Sequence, residues 1–369
     1  MFLKGVNWAL KIIDLKHRTV SIPVEYPVVS CVRQSEEVVF VLLDVVTDEG
    51  IIGISYAQAF HVPGANAIRA CLEFLKTVIR DEEPRFIEKI WKKMWDTTKL
   101  LGHQGIITFA LSMVDIALWD ILAKSMSQPV YRLLGGHRTS IEAYASQGLW
   151  LVSSAEAVQQ AENFAGQGFK AMKMRLGRIN QIEDINVLTE IRKAVGEKVD
   201  ILGDVNQGWT VKKTQDIASE LNSLDLYWLE EPIDANNLEG YIELIKSLPI
   251  SITTGENLYG VRSFQTYLQA KAADIYTPDL QRTGGISGWK RIVCFTESYN
   301  VKISVHLFPE FAAHLLAGLN SSERLEWMTW ASPLFREPLE CTEGMVKVPD
   351  RPGFGMEWDE ERISRYEIC

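Results

Sequence analysis

The chain has 369 residues and a formal net charge of −10, and 47% of its residues are hydrophobic while 23% are charged. This length suits one large domain with a smaller partner, and the composition is ordinary for a globular protein. The acidic balance argues against nucleic acid as a partner, because the chain has no basic surplus to neutralise phosphates.

The cysteines and the N-terminal segment bear on the cellular compartment. The five cysteines are scattered and none forms a C-x-x-C pair, which favours free thiols in a reducing environment. The N-terminal segment has no long apolar run followed by a cleavage site, and no stretch approaches the length of a membrane span. We therefore predict a cytoplasmic protein that has no membrane partner.

Residues 1–130 are predicted to form an α+β domain in which strands precede helices. Apolar and polar residues alternate in residues 9–22 and 36–57, and Gly50 marks a turn within the second stretch. From about residue 64 onward the apolar period becomes helical. Strands followed by helices are typical of a separate α+β domain.

Residues 131–344 alternate between short β-rich segments and helical segments. Eight strands separated by helices indicate a closed parallel barrel rather than an open sheet. The C-terminal tail, residues 345–369, is predicted to pack back on the first domain. The β-rich segments are EAYAS, KAMKM, VDILGD, LYWLEE, ISITTGE, ADIYTPD, VKISVH and RLEWM.

Polar or ionisable side chains recur at or near the end of each predicted barrel strand. Successive positions are separated by about one βα unit, so these side chains share the C-terminal face of the barrel, where barrel enzymes place their active sites. The residues are Ser146, Lys173, Asp204, Glu230, Glu256, Asp279, His306 and Glu326.

Three acidic residues, Asp204, Glu230 and Glu256, follow consecutive predicted strands. Adjacent strands lie about 4.8 Å apart, so carboxylates at their ends can converge on one point. Three such carboxylates repel each other unless a cation joins them, and oxygen ligands favour Mg²⁺ first and Mn²⁺ second. The alternative is that the three acids are surface residues that cap the following helices.

His306 and Asp279 end two successive predicted strands. A hydrogen bond from the imidazole to Asp279 would orient the ring and raise its basicity, as a general base requires. The alternative is a structural His–Asp pair in the core.

Lys173 and Arg175 are two residues apart on one predicted strand, so both side chains face the same side. Lys173 could hold a substrate carboxylate or act as a base. Arg175 stays protonated in proteins, so it is a poor base and is better suited to clamp an anion. The structural alternative is that the two cations form ion pairs with Asp204 or Glu230.

Glu326 could stabilise enolate charge by donating a hydrogen bond, provided that it is kept protonated. Ser146 and Asn206 are candidate contacts to the substrate or the metal, and a structural hydrogen bond is the alternative for each. The segment TGGISGW at residues 283–289 is similar to a phosphate-binding turn, although tight packing of a loop on a helix explains it better.

Seven segments of the chain resemble motifs of the enolase superfamily, and within it the mandelate racemase subgroup. The resemblance covers nearly the whole chain and implies a (β/α)7β TIM-like barrel with an N-terminal α+β capping domain. It also implies a homo-oligomer, either a dimer or an octamer. The segments, in order, are GFKAMKMRLG, ILGDVNQGW, YWLEEP, TTGEN, PDLQRTGGISGW, VHLFPE and LEW.

The resemblance implies a role for each predicted site residue. Loops of the capping domain, at residues 23–32 and 55–64, would close the pocket over a small-molecule carboxylate substrate, and Tyr26 and Arg282 are further predicted substrate contacts. The resemblance also implies that Asp204, Glu230 and Glu256 bind Mg²⁺, and that His306 and Asp279 form a catalytic dyad. It implies that Glu326 hydrogen-bonds an enediolate and that Lys173 contacts the substrate carboxylate. Ser146 and Asn206 would lie nearby.

The strand that carries Lys173 departs from the family pattern. In the racemase this strand reads Lys-x-Lys and the second lysine is the base for one face of the substrate, whereas this chain has Arg175. One base is enough for dehydration, so we predict dehydration of a sugar acid or hydroxy acid to a 2-keto-3-deoxy acid. The alternatives are a racemase or epimerase of a 2-hydroxy acid, with Arg175 or Lys173 serving the second face, and a non-catalytic barrel scaffold.

Overall fold

The computed structural model describes residues 10–319 and 322–368. The first elements of the described part form an antiparallel sheet of β1 (Ile12–Val29), β2 (Gln34–Thr47) and β3 (Ile52–Gln58), in which β2 pairs with both neighbours. The alternation of apolar residues in the sequence buries one face of β1, while β2 is almost wholly buried along its second half. This sheet is the β part of the predicted α+β region.

Three helices follow: α1 (Val62–Ile79), α2 (Ile87–Thr97) and α3 (Ile106–Ser125), with a 3₁₀ turn at Lys99–Leu101. Helices α1 and α3 pack on this sheet, and α2 packs on both of them. The buried residues of α1 recur every three or four positions, which is the spacing of one helix face. Helical periodicity in the sequence therefore predicted these elements correctly.

Helix α3 corrects one expectation from the sequence. By length and composition it could cross a membrane, and it is the only such helix in the described part of the chain, yet 89% of its apolar window is buried inside the protein. The statement that no stretch approaches the length of a membrane span was therefore wrong. The helix packs on β3 on one side and on barrel helices on the other, and a helix covered on all sides is apolar all round.

Hydrogen bonds from α3 connect the sheet to the barrel. Ser55 Oγ of β3 donates to the carbonyl of Met113, 2.7 Å away. On the barrel side, Trp119 Nε1 donates to Ser287 Oγ at 3.1 Å, and the backbone N–H of Ser287 donates to Asp115 Oδ2 at 2.9 Å. These contacts fix the position of the α+β region on the barrel.

Eight parallel strands form the barrel, and the predicted closed ring is confirmed. Strands β4 to β10 pair in chain order, β11 pairs with β4, and a parallel bridge between Ile303 and Ser322 joins the two ends of the ring. Each predicted segment contains one strand. The strands are β4 (Ser140–Ala145), β5 (Ala171–Arg175), β6 (Asp200–Asp204), β7 (Leu226–Glu230), β8 (Ile252–Thr254), β9 (Ile275–Tyr276), β10 (Lys302–Ile303) and β11 (Leu325–Trp327).

Helices alternate with the barrel strands. Several begin at a side chain that accepts a hydrogen bond from the first helical turn, as Ser153 and Asn180 do. Such caps satisfy N–H groups that a helix leaves unpaired, so they fix where each loop ends. The helices are α4 (Val130–Leu133), α5 (Ser154–Gly166), α6 (Gln181–Val195), α7 (Val211–Asp216), α8 (Ala218–Ser223), α9 (Leu238–Ser247), α10 (Gly260–Ala270), α11 (Leu280–Thr283), α12 (Gly285–Ser298) and α13 (Pro309–Leu316).

The C-terminal segment divides between the two parts of the fold. Strands β12 (Cys341–Thr342) and β13 (Met345–Lys347) form a hairpin, and β13 pairs antiparallel with β4 of the barrel. After α14 (Glu360–Tyr366), β14 (Glu367–Ile368) pairs with β1 of the N-terminal sheet. The prediction that the whole tail packs on the first domain is thus wrong for its first part, because the N-terminal half of β4 offers a free edge to β13.

The buried carboxyl of Asp115 predicts a pH-dependent stability. Burial raises its pKa to about 7, although hydrogen bonds from Ser287 lower it. Because the folded-state pKa lies above the value of about 4 in the unfolded chain, the free energy of unfolding should fall as pH rises between these values. Asp115→Asn removes this titration.

The expected result is a variant that gains stability relative to the wild type as pH rises, by about 1.4 kcal/mol for each unit of pKa difference. Urea unfolding of both proteins at about pH 5 and about pH 8 measures the effect. The same change of unfolding free energy with pH in both proteins would contradict the assignment.

Candidate active site

Three carboxylates from neighbouring strands converge at the C-terminal end of the barrel. Asp204 ends β6 and lies directly opposite Glu230, which ends β7, while Glu256 follows β8 by two residues. One oxygen of each carboxylate lies within 4.8 Å of those of the other two, and all three residues are buried. The alternative of three surface acids that cap helices is therefore wrong.

The electrostatics of this carboxylate triad fit a divalent cation. Burial raises the pKa of Glu230 to about 8, the ammonium of Lys173 opposes this shift, and the charges of Asp204 and Glu256 add to it. Glu230 Oε1 is buried and has no hydrogen-bond partner among the described residues. A cation bound by the three carboxylates would relieve their repulsion, and an all-oxygen donor set suits Mg²⁺.

A second carboxylate layer supports the triad, and the sequence analysis missed it. Glu231 is fully buried and accepts hydrogen bonds from Thr254 Oγ1 at 3.3 Å and Asn257 Nδ2 at 2.6 Å. Asn257 Nδ2 also lies 3.3 Å from Glu256 Oε1, so it links the two glutamates. The paired glutamates of YWLEEP and the asparagine after Glu256 were the available signal.

His306 and Asp279 form the expected pair. His306 Nδ1 lies 2.8 Å from Asp279 Oδ2, so Asp279 holds the proton on Nδ1 and leaves Nε2 for chemistry in the cavity. Asp279 also accepts hydrogen bonds from the backbone of Gln281 and from Arg282, whose Nη1 is 2.8 Å from Oδ2. These bonds fix the carboxylate and, through it, the imidazole ring.

The charge around His306 sets its basicity. Burial acts to lower the pKa of the imidazole, but the charge of Glu256 and the hydrogen bond to Asp279 outweigh it and raise the pKa to about 9. His306 Nε2 lies 3.4 Å from Glu256 Oε2. A cation held by Glu256 would neutralise this charge and bring the pKa down toward the range of a general base.

Lys173 is held as an ammonium ion among carboxylates. Its Nζ lies 2.8 Å from Glu326 Oε1, 3.3 Å from Glu230 Oε2 and 3.5 Å from Asp204 Oδ2. Burial acts to lower its pKa, but these charges raise the pKa well above the ordinary value. Lys173 therefore suits the binding of a substrate carboxylate and not the acceptance of a proton.

Arg175 is fixed by the loop after β4. Its Nη1 donates to the carbonyls of Ser146 at 2.6 Å and Gly148 at 3.2 Å, and its guanidinium lies 4.0 Å from the centre of the Trp150 ring. Nε is buried without a hydrogen bond to a described residue, 3.9 Å from Asp204 Oδ2. Arg175 therefore contributes a fixed positive charge beside the triad.

Glu326 differs from the expectation of a protonated hydrogen-bond donor. Burial acts to raise its pKa, but the positive charges of Lys173 and His306 and the hydrogen bond from Ser146 hold the pKa well below the ordinary value. The carboxylate accepts hydrogen bonds from Ser146 Oγ at 2.6 Å and from the backbone of Leu307 at 2.8 Å. Glu326 is therefore ionised, and it positions Lys173 and Ser146.

A cavity of about 180 Å³ lies over these groups. Asn206 lines it and donates from Nδ2 to Asp204 Oδ2 at 3.1 Å, and Arg282 lines it while bound to Asp279.

Tyr26 does not line the cavity, so its prediction as a substrate contact is wrong: its ring packs edge-on against Phe164, 6.0 Å away. Both predicted loops contribute to the wall, with Val28, Ser30, Val32, Gln58 and Phe60, and the neighbouring Arg33 was missed.

Comparisons with known proteins agree with this arrangement. Residues 12–135 match the family model "Mandelate racemase / muconate lactonizing enzyme, N-terminal domain", and residues 156–362 match "Enolase C-terminal domain-like". L-talarate/galactarate dehydratase of Salmonella typhimurium is 31% identical over 88% of this chain and 82% of its own length. Arabinonate dehydratase of Saccharolobus solfataricus is 31% identical over 85% of this chain and 87% of its own.

A solved structure gives the same result for the fold. The crystal structure of an enolase from alpha pretobacterium bal199 with bound Mg superposes with a TM-score of 0.94 and 32% sequence identity, covering 97% of this chain and 100% of that one. The two family models together span nearly all of the chain. The protein therefore belongs to the enolase superfamily, in the mandelate racemase/muconate lactonizing enzyme family.

Proposed function

We propose that the protein catalyses the Mg²⁺-dependent dehydration of a sugar acid or hydroxy acid to a 2-keto-3-deoxy acid. The observation that carries this proposal is that His306, held by Asp279, lies beside the carboxylate triad, while Lys173 is bound to carboxylates and Arg175 to backbone carbonyls. Dehydration needs one base, whereas racemisation needs an acceptor on each face. The two dehydratase relatives support the same reaction class.

Asp204, Glu230 and Glu256 would hold the metal ion. Bound there, Mg²⁺, or Mn²⁺ in its place, supplies Lewis-acid polarisation of the substrate carboxylate, which makes the neighbouring α-proton more acidic. Lys173 would bind the same carboxylate, and its ammonium form suits that task. Arg175 would add positive charge on the same side.

His306 would carry out both proton transfers. Its Nε2 takes the α-proton, and the electron pair of the broken C–H bond forms the double bond as the β-hydroxyl leaves. Asp279 stabilises the imidazolium, which gives its proton to the departing hydroxyl to make water. The enol product then tautomerises to the 2-keto-3-deoxy acid.

The alternative function is a racemase or epimerase of a 2-hydroxy acid. It needs a second proton acceptor, and the candidates on β5 are poor ones: Lys173 has a raised pKa, and Arg175 is bonded to backbone carbonyls. Turnover in D2O separates the two reactions, because racemisation returns deuterated substrate of inverted configuration while dehydration yields a keto acid.

Location and assembly are further parts of the proposal. A cytoplasmic location remains a prediction from the scattered cysteines and the N-terminal segment, and a homodimer or homo-octamer remains a prediction from the family resemblance. Light scattering during size-exclusion chromatography measures the assembly directly.

Removal of one ligand should abolish Mg²⁺ binding while the fold survives. Glu256→Gln replaces a carboxylate with an amide, which carries no negative charge for a hard cation. Isothermal titration with MgCl2 and circular dichroism measure the two effects. Glu340→Gln, a change of an exposed glutamate, is the matched control and should bind Mg²⁺ like the wild type. Full activity of Glu256→Gln would contradict the assignment of the metal site.

Loss of the imidazole should stop α-proton exchange. We expect His306→Asn to lower kcat by about 10²- to 10⁴-fold, the range of general acid–base catalysis. Loss of the α-proton signal in D2O, followed by NMR, measures exchange, and His137→Asn, at an exposed histidine, is the control. Continued exchange in His306→Asn would move the base role to another residue.

A further inference from the structure

Arg33 brings a positive charge from the capping domain to the active-site cavity. It lies in the turn between β1 and β2, and it lines the same cavity as Lys173 and His306. The turn is fixed by two hydrogen bonds: Arg33 N donates to Ser30 Oγ at 3.2 Å, and Ser30 N donates to the Arg33 carbonyl at 2.8 Å. The backbone therefore presents this side chain at a defined position.

The guanidinium of Arg33 has no acidic partner in the described part of the chain. Its contacts are two long hydrogen bonds, each of 3.4 Å, to the carbonyls of Glu37 and Phe60, and the ring of Phe60 at 5.6 Å. Burial lowers the pKa of Arg33, and no carboxylate opposes this shift. By contrast, Lys173 and Arg282 in the same cavity are bonded to carboxylates.

A half-buried cation without a counter-charge favours an anionic ligand. The planar guanidinium can form two parallel hydrogen bonds to one carboxylate, and such charge-assisted pairs are among the stronger hydrogen bonds in proteins. The inner end of the cavity already holds the groups for one substrate carboxylate, namely the triad and Lys173. Arg33 reaches the cavity from the turn between β1 and β2, whereas the triad and Lys173 lie at the ends of barrel strands, so the two would contact different parts of a bound substrate.

We propose that Arg33 binds a second carboxylate at the distal end of the substrate, so that the site selects sugar diacids over sugar monoacids. This inference rests on the proposed function. The cavity of about 180 Å³ suits a small linear acid. Its wall also carries Gln58, whose amide could bind hydroxyl groups, and the stacked rings of Trp150 and Trp330, 6.2 Å apart, which suit the C–H faces of a polyol.

Matched pairs of acids that differ only at the distal carbon test the inference. With saturating Mg²⁺, kcat/KM is measured for galactarate and galactonate, for glucarate and gluconate, and for mannarate and mannonate. For the pair that is turned over, the wild type should prefer the diacid by about 10- to 100-fold, the effect of one charge-assisted hydrogen-bonded pair. In Arg33→Gln the ratio should fall to near one, and Arg33→Lys should retain part of it.

Two controls keep the result specific. Arg80→Gln removes an exposed arginine of the same domain and should keep the wild-type ratio. A rise in ionic strength should reduce the preference of the wild type, because the distal charge pair is only half-buried. An unchanged ratio in Arg33→Gln, or a wild-type preference for monoacids, would overturn the inference. Faster turnover of 6-phosphogluconate than of glucarate would overturn the assignment of a carboxylate.

Failure of this inference is distinguishable from failure of the proposed function. Keto-acid formation from monoacids and diacids with equal kcat/KM would disprove diacid selection and leave dehydration intact. Absence of keto acid and of α-proton exchange with every acid would disprove the proposed function. In that event, isothermal titration still decides the role of Arg33. It compares the affinities of diacids and monoacids for the Mg²⁺-loaded wild type and for Arg33→Gln.

Discussion

The mutual repulsion of buried carboxylates at one end of the barrel is the constraint on which the rest of the structure depends. Asp204, Glu230 and Glu256 lie within ligand distance of one another, and Glu326 lies close by on the far side of Lys173. In a medium of low dielectric constant, such a cluster is costly unless positive charge compensates it. Parallel strands make the cluster possible, because backbone pairing brings the ends of neighbouring strands to the same face of the barrel. The side chains at these ends are therefore close together even though their charges repel.

The protein compensates this charge in two ways. Fixed cations supply one part: Lys173 contacts three carboxylates, and Arg175 lies beside Asp204. Hydrogen bonds supply the other, as Ser146 and Leu307 donate to Glu326. Glu230 Oε1 is buried and receives no hydrogen bond from a described residue. A divalent cation bound by the three carboxylates would supply the positive charge that these groups do not.

The sequence predicts the strand ends well because the βα unit imposes a regular spacing. Once eight strands are recognised, the residues at their ends must share one face, so the triad and the His306–Asp279 pair follow from position alone. Protonation states do not follow from position. Glu326 was expected to donate a hydrogen bond if it is protonated, but its pKa is lowered by Lys173, which is 153 positions away in the sequence and 2.8 Å away in space.

Contacts between the two domains were the other feature of the site that the sequence did not predict. Tyr26 was chosen because it lies in a loop that reaches toward the barrel, yet its ring packs against Phe164. Arg33, a few residues further on, enters the cavity instead. Which residue of a loop faces a cavity depends on the turn that ends the strand, here fixed by Ser30, and no periodicity in the sequence records that turn.

The arginine at position 175 shows how one substitution changes what such a site can do. A lysine side chain can lose its proton and act as a base, whereas a guanidinium group is a poor base in proteins. Arg175 is also bonded to the carbonyls of Ser146 and Gly148 and stacked on Trp150, so it reinforces the loop after β4. A guanidinium bonded in this way is poorly suited to accept a proton, so under the proposed function the imidazole of His306 would carry the proton transfers.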